Sequence, residues 1–214
     1  MRSRRLLVLA LAAGLALAGC STPAEPVDSP SPSASETVTA PDPTPVSLVI
    51  SLDAVSVVND DGTTAASAPF TDGEAVLALL GEYFGETPEG VENTEGYPIT
   101  GYDWGGVSLA VVDGGGASIS TQVTDFEGLA ILTTDGIAVG STRDEVLALD
   151  PFVGAPFDGD GDGQPDSLGL EAEVNPDVES LELPGEPGTD FVLVVFDGDL
   201  VSGINAPSSD YGDL

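Results

Sequence analysis

Residues 107–114 read Val107-Ser108-Leu109-Ala110-Val111-Val112-Asp113-Gly114, and residues 191–198 read Phe191-Val192-Leu193-Val194-Val195-Phe196-Asp197-Gly198. Each is an apolar, largely β-branched run that stops at Asp-Gly, a strong short-range sign of a strand turning back on itself. With Ala117 to Val123 following the first run, the spacing predicts a β-hairpin, and the second run lines up with the first at a shift of 84 residues. Upstream of the first hairpin, Thr71-Asp72-Gly73-Glu74 has the frame of a capping box. The helix it opens would carry Val76, Leu80 and Phe84 on one face and stop at Gly85. Before it, Val46 to Val58 predicts a strand. The second half repeats this order. Ser141-x-x-Asp144 and Val146-Leu147-Ala148-Leu149 match Thr71-x-x-Glu74 and Val76-Leu77-Ala78-Leu79 at a shift of 70. Phe152-Val153-Gly154 follows as Tyr83-Phe84-Gly85 does at a shift of 69, and Asp135-Gly136 mirrors Asp61-Gly62 at a shift of 74. The expectation is an α+β fold: two copies of a strand–helix–β-hairpin unit, at 46–124 and 125–214, forming antiparallel sheet with one short helix per copy.

Composition excludes a good deal of chemistry. The 214 residues carry 37 Asp+Glu against 4 Lys+Arg, with no His and one Cys, for a net charge of −33. The four basic residues are all Arg. Without His there is no Ser-His-Asp triad and no imidazole ligand; without Lys there is no Schiff base and no Walker lysine. Nucleic-acid binding through phosphates needs a basic face, which this chain lacks. A single Cys closes no internal disulfide. Hydrophobic residues at 41% suffice for a packed core.

Arg2, Arg4 and Arg5 precede an apolar run from Leu6 to Leu17, too short to serve as a spanning helix. The run leads into Leu17-Ala18-Gly19-Cys20, which resembles the bacterial lipobox. That resemblance implies that residues 1–19 are a signal peptide removed before Cys20, whose thiol takes a diacylglyceryl group. It places the protein on the outer face of the plasma membrane, in the cell envelope. The alternative is an ordinary secretory signal with a chance cysteine. Ser3-Arg4-Arg5-Leu6-Leu7 also resembles a twin-arginine export motif, which leaves the export route open. After cleavage, Arg143 alone stands against 37 acids, a net −36. Such a surface repels anionic headgroups, so the membrane would be held through the lipid. Residues 20–45 carry seven prolines among Ser, Thr and Ala. That composition predicts a disordered tether, with a reach of roughly 78 Å if fully polyproline-like. The absence of Lys beside abundant Ala, Gly, Val and Asp is similar to proteins of high-GC bacteria.

The second copy holds 14 more residues between helix and hairpin than the first, and an acidic loop insertion at 156–169 occupies them. It contains Asp158-Gly159-Asp160-Gly161-Asp162-Gly163-Gln164-Pro165-Asp166. Carboxylates at alternate positions converge when a chain curls around a hard cation, and Gly at position 6 permits the sharp turn. The stretch resembles the D-x-D-x-D-G-x-x-D calcium loops of integrin β-propellers, dockerins and thrombospondin-type repeats. The resemblance implies calcium ligands from Asp158, Asp160, Asp162, Gln164 (through its carbonyl) and Asp166. Position 12, where an EF-hand has Glu, is Gly169, so the expected site is structural and extracellular, with an affinity on the order of 10⁻⁴ to 10⁻³ M. The alternative is a wet acidic loop, because Asp-rich windows come readily in so acidic a chain.

Tyr97, Tyr102 and Trp104 cluster in one stretch, either as a candidate ligand face that could stack on a sugar ring or as core. Arg143 is expected to pair with a nearby carboxylate. Asp113-Gly114-Gly115-Gly116 reads as a hairpin turn, since no helix and no Lys follow it. The element order over 46–214 resembles the tandem architecture of the β-lactamase-inhibitor protein, which implies protein binding. Together these point to a non-catalytic, lipid-anchored protein that binds or assembles in the envelope, with an envelope protein or cell-wall glycan as partner. Inhibition or sensing of a specific envelope protein is the alternative. An envelope hydrolase using a carboxylate pair is the lesser one, and 37 acids single out no pair.

Overall fold

The computed structural model describes residues 42–93, 98–154, 157–159 and 161–211. Twelve strands and two short helices run through them: β1 Pro45–Ile50, β2 Ala54–Asn59, β3 Thr64–Pro69, α1 Gly73–Phe84, β4 Val91–Glu92, β5 Ile99–Asp103 and β6 Val107–Val112. β7 Ala117–Thr121, β8 Asp125–Phe126, β9 Leu129–Thr133, α2 Arg143–Leu147, β10 Ser167–Glu179, β11 Pro187–Asp197 and β12 Leu200–Ser209 complete the order. The protein is mostly β-sheet. A five-stranded mixed sheet has the order β3-β2-β1-β9-β8, and a seven-stranded antiparallel sheet has the order β10-β11-β12-β7-β6-β5-β4. Among the described residues only β1 and β9 pair in parallel, from Ser47 opposite Ala130 to Ile50 opposite Thr133. Among the described residues no helix is long and apolar enough to cross a membrane.

Alternation sets which way each strand faces. In β6, Val107 and Leu109 are buried while Ser108 is exposed and Ala110 half-buried. In β7, Ala117, Ile119 and Thr121 are buried while Ser118 and Ser120 are half-buried. The inward residues of both sheets join one core with the α1 face: Leu48, Ile50 and Val57 from one sheet, Leu109, Ile119 and Val194 from the other, and Leu80 from the helix. Burial of each such side chain is worth about 1.5–3 kcal/mol. That apolar burial has to outweigh the self-repulsion of a chain at net −33.

Both hairpins predicted from Asp-Gly are present. β6 and β7 are joined through Gly114 to Gly116, with Val112 N–H bonded to Gly116 O (2.9 Å); β11 and β12 turn at Gly198. A Cβ on Gly116 would lie 2.6 Å from Phe70 O, so this turn packs against the entry to α1 only because the residue is glycine.

The structure corrects three expectations. Val46 to Val58 is two antiparallel strands, because the Ser51 hydroxyl bonds Ala54 O and accepts from Ala54 N, folding the chain over at Leu52 and Asp53. Both helices cap one residue later than expected. Asp72, as good an N-cap as Thr, accepts from Ala75 N, and Thr142 forms a full capping box with Glu145. The acidic frame fits either register, and the one that buries Val76, Leu79 and Leu80 prevails. The third is the acidic insertion expected at 156–169, whose last three residues belong to β10, a thirteen-residue strand that no pattern announced. The strand carries Pro176 and a left-handed Glu171 (φ 52°), which an edge strand with bulges tolerates.

Candidate functional site

The acidic loop closes on itself. Asp166 N–H donates to Phe157 O (2.8 Å) at its base. The Asp158 carboxylate accepts from the amides of Gly161 (2.7 Å) and Asp162 (3.1 Å) at Oδ1 and of Gly163 (2.9 Å) at Oδ2. Gly161 and Gly163 adopt φ 79° and 86°, and this left-handed backbone lets successive amides point at one carboxylate. Asp162 accepts from Gln164 N (2.7 Å), and Asp166 Oδ2 from Gly159 N (2.7 Å). The chain therefore brings Asp158, Asp162, Gln164 and Asp166 into one tight turn; Asp160 lies outside the described residues. Among the described residues no three acidic side chains are gathered as a ligand set. Asp158 Oδ1 spends both lone pairs on amides, but Asp158 Oδ2 and Asp166 Oδ2 accept one amide each, so the remaining donor chemistry fits a hard cation, which would have to draw the carboxylates together.

Arg143 fixes this loop to the sheet. It is the first residue of α2 and only 6% exposed. Its Nη1 donates to Pro165 O (2.6 Å) and its Nη2 to Gly198 O (2.8 Å), and the guanidinium lies 4.1 Å from the centre of the Phe196 ring. Nε faces the exposed Asp199 carboxylate at 3.8 Å, too far for a hydrogen bond. The carboxylate partner expected from sequence is there, yet the stronger ties go to two backbone carbonyls. A further backbone bond, Phe196 N–H to Asp166 O (2.8 Å), joins the loop to β11.

The outer face of the seven-stranded sheet forms a hollow of about 1100 Å³. Its floor runs over Gly101, Ala110, Ser118, Asn205 and Leu193, from five neighbouring strands. Asp53, Glu89, Asp103, Glu173 and Asp190 stand along it. A second hollow of about 480 Å³ adjoins it, lined by Phe157, Asp166, Val195 and again Leu193. Leu193 belongs to both, so the acidic loop is one rim of the sheet's outer face. Phe157, 71% exposed, stands on that rim.

Of the aromatic stretch, Tyr97 lies outside the described residues, as does Cys20. Trp104 packs against the core: its ring centre is 6.0 Å from that of Phe84, edge on, and 6.4 Å from that of Tyr102. Tyr102 lines the hollow as well. Sequence reasoning passed over Ser108, Ala110, Ser118 and Ser120. Their signal is that the solvent-facing positions of these strands are small and uncharged in a chain otherwise so acidic.

At the far end of the sheet, Tyr211 donates to Asp190 Oδ1 (2.6 Å) and accepts from Asn175. The bond to Asp190 is the main cause of a raised Tyr211 pKa, with burial adding to it. Comparison of the chain with family models, with curated proteins and with solved structures finds no match.

Proposed function

We propose that this is a lipid-anchored extracytoplasmic protein, held at Cys20, that binds a partner in the cell envelope across the outer face of its seven-stranded sheet. The observation that carries the reading is the continuous, largely uncharged floor from Gly101 to Leu193, unoccupied by any described segment of the chain. At about 1100 Å³ the hollow lies above the roughly 300–1,000 Å³ of small-molecule pockets, a size that suits a segment of a protein or glycan. Inhibition or sensing of one envelope protein would use the same surface. The test is crosslinking on intact cells. Ala110 lies between Gly101 and Ser118 in the middle of the floor. Ala110→Trp should abolish partner capture while Cys20→Ala releases the protein from the membrane fraction. Capture unchanged in Ala110→Trp refutes the surface.

The acidic loop is proposed as a calcium site that braces this rim. With a Kd near 10⁻⁴ M and calcium at 100-fold excess, the stabilisation is about 2.7 kcal/mol, and it should vanish in Asp162→Ala. Equal shifts from magnesium would refute calcium as the ion.

The two halves are also proposed to be copies of one unit. Support comes from the turns at Gly62 and Gly136, which have φ 82° and 83° and the same bonds: Gly62 N–H to Asn59 O, and Gly136 N–H to Thr133 O. Their shift of 74, and the shift of 70 between the caps Asp72 and Thr142, follow the sequence pattern.

A further inference from the structure

We infer that the segment received by the sheet hollow is cationic and partly apolar: an extended stretch of another envelope protein carrying Lys or Arg between apolar residues. The inference rests on the binding reading above and names its partner class. Charge is the first argument. Five carboxylates line the larger hollow, Asp166 and Asp197 line the smaller, and neither lining contains a Lys or Arg. Arg143, the only basic residue among those described, is turned inward and bonded to backbone. A low-dielectric floor with carboxylates along it concentrates the field of a chain at net −33 and raises the local concentration of cations.

The floor supplies the second argument. Ile99, Val112, Leu193 and Pro207 offer apolar surface, while Ser108 and Ser120 offer hydroxyls that donate or accept. Inorganic cations and polyamines would satisfy the rim and leave this floor in water. Size supplies the third. Lining residues come from all seven strands of the sheet, with Val91 of β4 and Glu173 of β10 on the outermost two, and six spacings of about 4.8 Å make roughly 29 Å. An extended segment of about nine residues covers that span. A second copy of this chain is disfavoured, since it would bring a net −33 of its own.

The probe is a nine-residue blocked peptide of alternating Leu and Arg, titrated calorimetrically into the purified chain at low and at physiological salt. Its Leu/Glu counterpart and spermine serve as comparators. The Leu/Arg peptide should bind, weaken with salt and lose at least about fivefold in affinity in the Glu89→Gln/Glu173→Gln double variant. Asp135→Asn, which removes a carboxylate lining neither hollow, should change nothing. Ala110→Trp should abolish binding; if that variant misfolds, the two Gln substitutions on the rim still decide. Spermine binding as tightly as the peptide, or equal losses in Asp135→Asn, would reduce the effect to diffuse counterion attraction and overturn the inference. If Ala110→Trp abolishes partner capture on cells but the Leu/Arg peptide fails to bind, the surface stands and the cationic partner falls. If capture survives Ala110→Trp, the surface itself is wrong.

Discussion

Replacing Arg143 by Met should loosen the acidic loop and the β11–β12 turn together. Arg143 gives charged hydrogen bonds to Pro165 O and Gly198 O and lies over Phe196. Each charge-assisted bond is worth about 1.5–3 kcal/mol, and the ring contact about 0.5–2 kcal/mol. Against this, Met spares the cost of burying a guanidinium, and water can reach the freed carbonyl of Pro165, which sits on an exposed loop. The net loss is about 3 kcal/mol once these offsets are taken. For a folded unit of this size that lowers Tm by roughly 6–12 °C. Arg143→Lys keeps the charge but cannot fork to both carbonyls, and should lose about half as much. The exposed Asp199 contributes little, so Asp199→Asn should fall within about 0.5 kcal/mol of the parent. Thermal unfolding by circular dichroism gives the magnitudes, and hydrogen exchange gives the location. In Arg143→Met the amides of Gly161, Asp162 and Gly163, which donate to Asp158, should exchange faster at temperatures where the sheet is intact. A Tm within 1–2 °C of the parent, or destabilisation with loop exchange unchanged, would refute the view of Arg143 as the loop's fastening.

Gly169→Ala places a Cβ within 3.0 Å of the Phe191 ring, which packs on Phe152, and should cost about 1–3 kcal/mol in chemical denaturation. Thr142→Ala removes the α2 capping box and should cost about 1 kcal/mol, with Thr142→Ser nearly neutral. The amide and hydroxyl of Thr142 lower the Glu145 pKa. That contribution is present above the usual glutamate value of 4.5 and lost as pH falls through the lowered one, so Glu145→Gln should flatten the acid limb of a stability profile. For Tyr211 the sign is opposite. Its pKa is raised, so its contribution is present below the usual value of 10.0 and lost as pH rises through the raised one. Tyr211→Phe should flatten the alkaline limb, and an unchanged limb would remove the Asp190 contact from the account.

Local chemistry made much of this legible. Asp-Gly marked both long hairpins and Gly85 marked the helix end, because each is dictated by a few adjacent residues. Register was harder. Asp72 and Thr142 sit in frames where two neighbouring residues can cap, and burial of Val76 and Val146 settles the choice. The break at Leu52 was hidden because a single serine hydroxyl makes it, and Leu52 N–H is then held by Glu171 Oε2 (3.0 Å), 119 residues away. β10 was hidden for a similar reason: its acids and proline speak against a strand, and only pairing with β11 overrides them. The loop's composition was plain, but its fastening through Arg143 to carbonyls 22 and 55 residues distant was not. The hollow was invisible because small side chains matter there only once neighbouring strands lay them side by side.

Neither half of this protein can finish a sheet alone. β1 sits inside its sheet only because β9 lies against it, and β7 is interior only because β12 does, with Ile204 opposite Thr121. A chain delivered across a membrane N-terminus first would therefore arrive with two open strand edges. One closes when residues near 130 emerge, and the other waits for residues near 204. If delivery is by threading, the interval between those two moments is when β7 is open to mispairing with a neighbouring chain. Export of the protein already folded would remove that interval, so the route of delivery and the interleaving of the sheets bear on one another.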